Sequence, residues 1–204
     1  MRKLHDSAEQ RIVHSAEMLD RKSLASVGDT TGERLTALLT ETKAHTPEEL
    51  AANVARIGEL LGRFALYVPA RFTDDPAEQA KYWAVRSGIF PAVGGSRPAG
   101  TPCLSEDVAF HIEDLPRATA ELQALIARHG YDACIYGHAL EDNYHFIINQ
   151  SFSPPAEVAR YEALMNDVAE LVSAGTTARS KPSMARGATW RPSSAASRAT
   201  TPWP

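Results

Sequence analysis

His138, Asn143 and His145 stand close together around the acidic turn Leu140-Glu141-Asp142. Strand-like runs flank them, Ala133 to Tyr136 before and Phe146 to Ile148 after. Two neutral imidazoles converging from adjacent strands suit Zn²⁺ or a similar divalent ion, so His138 and His145 are candidate metal ligands. The plain alternative for strand-end histidines is a hydrogen-bonded surface group. For Asn143 it is a turn residue tolerant of left-handed geometry. Glu106 and Asp107 alternate on a preceding strand, so only one of them can face the inner side of the sheet.

The elements that must carry these residues follow from local signals. Thr46-Pro47-Glu48-Glu49 is a capping box with proline at the first helical position. The helix it opens places Leu50, Val54, Ile57, Leu60 and Leu61 on one face. A short strand is expected at Ala65 to Val68. Asp75-Pro76 opens a helix through Trp83 and Arg86, and Pro91 to Pro102 reads as a Gly/Pro-rich loop. Ser105 to Ile112 alternates as a strand. Leu115 to His129 is a helix stopped by Gly130, and Pro154 to Val172 is a last amphipathic helix. Arg34 to Thr40 reads as a strand or a short helix. Residues 1–31 read as a peripheral, polar helical segment, residues 32–172 as the folded domain, and residues 173–204 as a disordered tail. The expected architecture is α+β, a ferredoxin-like antiparallel sheet with helices on one face and a disordered C-terminal tail.

The chain of 204 residues is 44% hydrophobic and carries a formal charge of -4, enough for one sizeable domain and without the basic face of a nucleic-acid binder. The N-terminus lacks the apolar core of a signal peptide. No apolar run approaches the ~20 residues of a membrane span. Cys103 and Cys134 lie far apart with no metal spacing, so a reducing, cytoplasmic setting is expected.

Four stretches resemble the C-terminal, substrate-side domain of FAD-linked oxidases, the group that includes D-lactate, glycolate and D-2-hydroxyglutarate dehydrogenases. They are Trp83 to Gly94, Ser105 to Phe110, Arg128-His129-Gly130-Tyr131-Asp132, and Gly137-His138 through Asn143-x-His145-Phe146. The resemblance implies an FAD-dependent dehydrogenase of D-2-hydroxy acids that passes hydride from C2 to flavin. Arg86 would clamp the substrate carboxylate, for which a planar bidentate guanidinium is suited; a solvated helix-end cation is the alternative. Asn143 would lie near the substrate, His138 and His145 would hold the metal, and His145 would also belong to the catalytic group. Thr101 stands where some relatives have a lysine. Asp142 stands where they usually have glycine, placing a negative charge near an anionic substrate. Trp83, Phe90 and Phe146 are expected in the core.

The family carries a flavin-binding domain before this region, and no Gly-rich phosphate-binding fingerprint replaces it here. FAD is therefore expected on a flavin-binding domain or subunit outside this chain, which would sit in the cytoplasm or peripheral to a membrane through an electron acceptor. The family also carries a Glu-His-Gly motif after the last helix, whose Glu completes the metal site and whose His is a candidate base. This chain has no Glu or His after Glu170, and from Leu171 to Pro204 it has five basic residues and no acid. Composition alone reads as a disordered tail. A frameshift is the sharper expectation. Ser180-Lys181-Pro182-Ser183-Met184-Ala185 can be encoded so that a reading one base earlier, with C in front, gives Leu-Lys-Ala-Glu-His-Gly. The codons of the coding DNA test this. The chain alone is expected to have no turnover. A separately encoded accessory subunit and a small metal- or carboxylate-binding module are the alternatives.

Overall fold

The computed structural model describes residues 12–29 and 36–177, with side chains up to Ala174. Five strands form one antiparallel sheet: β1 (Ser15–Leu19), β2 (Ala37–Glu41), β3 (Cys103–Ala109), β4 (Cys134–His138) and β5 (Asn143–Asn149), in the spatial order β2-β1-β4-β5-β3. The helices are α1 (Arg21–Ser26), α2 (Pro47–Leu61), α3 (Pro76–Gly95), α4 (Leu115–Arg128) and α5 (Pro155–Thr177). β3 and β4 both run antiparallel to β5, which lies between them, so β3-α4-β4 is a split β-α-β unit.

Local chemistry sets most boundaries. Thr46 accepts from the Glu49 N–H at 3.2 Å, and Glu49 reaches back to accept from the His45 N–H at 3.0 Å. This is the reciprocal arrangement that the Thr-x-x-Glu spacing predicts, displaced by one residue on the return bond. Asp75 caps α3 by accepting from the Ala77 N–H at 2.9 Å. α4 ends at Arg128, and Gly130 takes φ 73° to turn the chain into β4.

Strand alternation divides the core in two. One face of the sheet sends Ala16, Met18, Val108, Ile135, Phe146 and Ile148 against Leu122 and Leu125 of α4 and Leu164 and Val168 of α5. The other sends Leu19, Cys134, Tyr136 and Ile147 against Leu24 of α1 and Ile89 of α3. The α+β class therefore holds. The helix layer on one face is α4 with α5, and a second, smaller layer of α1 and α3 covers part of the other.

Several expectations need correction. The described part of residues 1–31 holds the short helix α1 but is not a peripheral helical segment: β1 lies between β2 and β4 and pairs with both. Val13, Ala16, Met18 and Leu19 are buried, and the polar residues that disguise the strand, Glu17 and Asp20, are buried as well. Ala65 to Val68 forms no strand. It is a loop with Tyr67 68% exposed, since an apolar run without a neighbouring strand has no ladder to join. α3 continues through Pro91 to Gly95, forfeiting one backbone donor but keeping Val93 against the smaller cluster. β3 begins and ends earlier than expected, at Cys103 and Ala109. α5 runs on to Thr177, past the expected end of the folded domain at 172. Residues 178–204, with the frameshift expectation, lie outside the described residues. So do residues 1–11 and 30–35.

The two thiols differ in a way that labelling can read. Burial pushes the Cys134 thiol up to about 12, while Cys103 is half-buried and raised by the same cause with nearby Arg97 opposing it. The thiolate is the reactive form. In the native chain at pH 8.5, Cys103 is expected to react with a small disulfide reagent at least ~10-fold faster than Cys134. Raising the pH toward 12 increases the Cys134 rate, because each unit below its pKa leaves about tenfold less thiolate. Equal native rates would contradict this placement.

Candidate functional site

The strand register gathers the candidate residues. Glu17 on β1 is paired opposite His138 on β4, and His138 is opposite Asn143 on β5. One row further on, Tyr136 is opposite His145, and His145 is opposite Asp107 on β3. Side chains two apart on a strand share a face, so all six project from the face that carries Leu19, Cys134 and Ile147. That face is covered only in part by α1 and α3, and the uncovered part is polar. α3 brings Arg86 to it.

Glu17 is the centre of the polar group. It is 4% exposed. Its Oε2 accepts from Arg86 Nε at 3.1 Å and its Oε1 lies 2.6 Å from His138 Nδ1. The Arg86 guanidinium also lies over the Tyr136 ring, 5.0 Å from its centroid. His145 Nδ1 is hydrogen-bonded to Asp107. The two imidazoles are neighbours, with centroids 5.4 Å apart and planes near perpendicular, and the His145 ring lies 5.3 Å from Tyr136. Burial pushes the Tyr136 phenol above its ordinary value, with Arg86 pulling the other way. Asn143 Oδ1 is buried without a hydrogen-bond partner among the described residues. A buried acceptor left unmet is unfavourable.

The turn between β4 and β5 has the conformation that its chemistry suggests. Asp142 takes φ 60°, the left-handed geometry that favours glycine. Its carbonyl accepts from the Phe110 N–H at 3.0 Å, tying the turn to the end of β3.

Four of the predicted site residues, Arg86, His138, Asn143 and His145, thus share one surface. Of the acidic pair on β3, Asp107 belongs to it, whereas Glu106 faces α5 and accepts from the Tyr161 hydroxyl at 2.6 Å. Thr101 hydrogen-bonds the Pro98 carbonyl in the loop before β3, away from the histidines. Of the expected core aromatics, Phe146 is fully buried and Trp83 half-buried, but Phe90 is 42% exposed, because α3 turns that side away from the sheet. Sequence reasoning missed Glu17 and Tyr136. The signal for Glu17 was present: a single acid inside Val13-His14-Ser15-Ala16-Glu17-Met18-Leu19, a run too apolar for a solvated helix.

As a metal centre the group falls short. Both Nδ1 atoms face carboxylates, an arrangement that orients imidazoles whose Nε2 would be the donor. Only these two donors result, and among the described residues no three His, Cys, Asp or Glu side chains are grouped to hold an ion. A catalytic zinc needs three protein donors and an open position. The described residues do not fit that requirement.

Comparison with known proteins gives the family. Residues 2–176 match the family described as FAD linked oxidases, C-terminal domain. The chain belongs to that family. The family implies FAD, together with a flavin-binding domain as partner. Among solved structures, the chain is similar to the 4-ethylphenol oxidase of Gulosibacter chungangensis, determined as its isoeugenol complex, with 14% identity and a TM-score of 0.42. The similarity covers 79% of this chain and 37% of that oxidase. The chain thus spans well under half the length of this relative. No curated protein matches it. Among the described residues no helix is long and apolar enough to cross a membrane.

Proposed function

We propose that this chain is the substrate-side domain of an FAD-dependent 2-hydroxy acid dehydrogenase of the D-lactate dehydrogenase type. The observation that carries the reading is one polar surface where a guanidinium, an amide side chain and two carboxylate-held imidazoles meet. Arg86 spends Nε on Glu17, which leaves the Nη1/Nη2 edge for the acid's carboxylate. Asn143, paired opposite His138 on the same face, lies close to where the ligand would sit. His145, with Nδ1 committed to Asp107, presents Nε2 as acceptor for the hydroxyl proton. FAD, when bound by its own domain, supplies the hydride acceptor. A divalent ion on His138 and His145 would need a third donor from beyond the described residues, and the proton route proposed here uses imidazole alone.

Titrating D-lactate into the chain and following side-chain NMR signals tests the reading. Binding is expected to perturb Arg86, Asn143 and His145. Arg86→Ala removes a charge-assisted bidentate contact of about 2–3 kcal/mol, so affinity is expected to fall ~30- to 160-fold. Unchanged affinity in Arg86→Ala would remove the clamp. The purified chain, free of flavin, is expected not to reduce a dye with D-lactate. Reduction without flavin would overturn the division of labour between the two domains. Tight Zn²⁺ binding with no response to D-lactate would favour a metal-binding module instead.

A further inference from the structure

We infer that Glu17 is the positioning residue of this site: its one buried carboxylate sets both the orientation of Arg86 and the tautomer of His138, and so selects a ligand that pairs a carboxylate with a hydroxyl donor. The inference rests on the hydroxy acid reading above and adds to it a residue and a basis for selectivity.

Each Glu17 oxygen serves a different donor. Oε2 receives Arg86 Nε–H and Oε1 receives His138 Nδ1. An ionised carboxylate only accepts, so the hydrogen on that short contact belongs to His138 Nδ1. In the neutral imidazole the Nε2 of His138 is then a lone-pair acceptor. On Arg86 the same carboxylate holds the Nε corner, and the Tyr136 ring beneath the guanidinium limits its tilt. The side chains differ in freedom. His138 is over a third exposed and Arg86 about a fifth, whereas Glu17 is almost fully enclosed. Glu17 also sits on a strand paired on both sides, with Ala16 and Met18 buried on the opposite face. The carboxylate is therefore the rigid member, and the two ligand-facing groups take their positions from it.

Selectivity follows from the tautomer. An Nε2 acceptor at His138 welcomes a ligand O–H. The oxo acid of the same skeleton brings only an acceptor to that point and leaves two lone pairs opposed. Arg86 binds both acids through their carboxylates and does not discriminate between them. The hydroxy acid is thus preferred over its oxidation product through the two imidazole acceptors, His145 set by Asp107 and His138 set by Glu17.

Long-range ¹H–¹⁵N correlation spectra of the whole chain report the His138 tautomer directly, without turnover, flavin or ligand. The expected result is Nδ1–H in the wild type, loss of that preference in Glu17→Gln, and its retention in Glu17→Asp. The amide introduced by Glu17→Gln offers one acceptor and one donor, and cannot receive both Arg86 and His138 as a carboxylate does. Nε2–H in the wild type, or an unchanged tautomer in Glu17→Gln, overturns the inference. If Glu17→Gln does not fold, the wild-type spectrum alone decides. D-Lactate and pyruvate then serve as probes. The wild type is expected to prefer D-lactate about tenfold, and Glu17→Gln to lower that ratio severalfold while weakening both. A ratio unchanged by the substitution contradicts the selectivity. If neither acid binds the wild type while His138 carries Nδ1–H, the hydroxy acid reading and the selectivity fall, and the positioning of His138 by Glu17 stands.

Discussion

Gly137→Ala is expected to destabilise the chain by about 3 kcal/mol, combining overpacking with backbone strain at a glycine-favouring φ. Gly137 takes φ 152°, and a Cβ built there would lie 2.6 Å from the Asn143 carbonyl oxygen and 2.9 Å from the Tyr144 Cα. Both are backbone atoms of β5, so no side chain can swing aside to make room. β5 is held on its other edge by β3 along seven paired residues, from Cys103↔Asn149 to Ala109↔Asn143. Relief requires β4 and β5 to part where His138 faces Asn143 and Tyr136 faces His145. The substitution should therefore lower the denaturant midpoint and also disturb the histidine signals in whatever folded fraction remains. A stability change below about 0.5 kcal/mol, the range of neutral surface substitutions, would show that the strands are not this close.

Phe146→Ala is expected to lower stability by about 3–5 kcal/mol, the usual range for deleting a large buried side chain without collapse of the cavity. Phe146 is fully buried, as are Leu122 of α4, Ile135 and Ile148 of the sheet and Leu164 of α5 in the same cluster. It follows His145 directly on β5 and points to the opposite face. The cavity would open beneath the strand that carries Asn143 and His145, so the site should loosen along with the core. Phe90→Ala is the internal control. That ring is 42% exposed and belongs to neither core cluster, and its loss is expected to change stability by less than about 1 kcal/mol. Equal unfolding curves for the two variants would contradict the assigned faces.

Glu17 shows what was hard to read. An acid amid apolar neighbours breaks the apolar-in, polar-out alternation, because its polar group is satisfied inside, by Arg86, a residue 69 positions away, and by His138, 121 positions away. No window along the chain contains those partners. Tyr136 was hidden differently: its strand-like run was evident, but its contact with Arg86 comes from a helix elsewhere in the sequence. Ala65 to Val68 failed in the reverse sense. Its composition suits a strand, but a strand exists only where another offers a ladder.

The elements governed by near neighbours were legible. Thr46 and Asp75 announce α2 and α3 because a cap is a bond over two or three residues. Gly130 marks the end of α4, and Asp142 the turn between β4 and β5, because a left-handed residue restricts side-chain choice locally. Arg86, His138, Asn143 and His145 were candidates from their types and motifs. Their shared surface, the carboxylate that joins Arg86 to His138, and the placement of β1 inside the sheet were decided only by tertiary structure. These depend on strand register and on a helix crossing over the sheet, and the free energy of such contacts belongs to pairs of residues far apart in the chain.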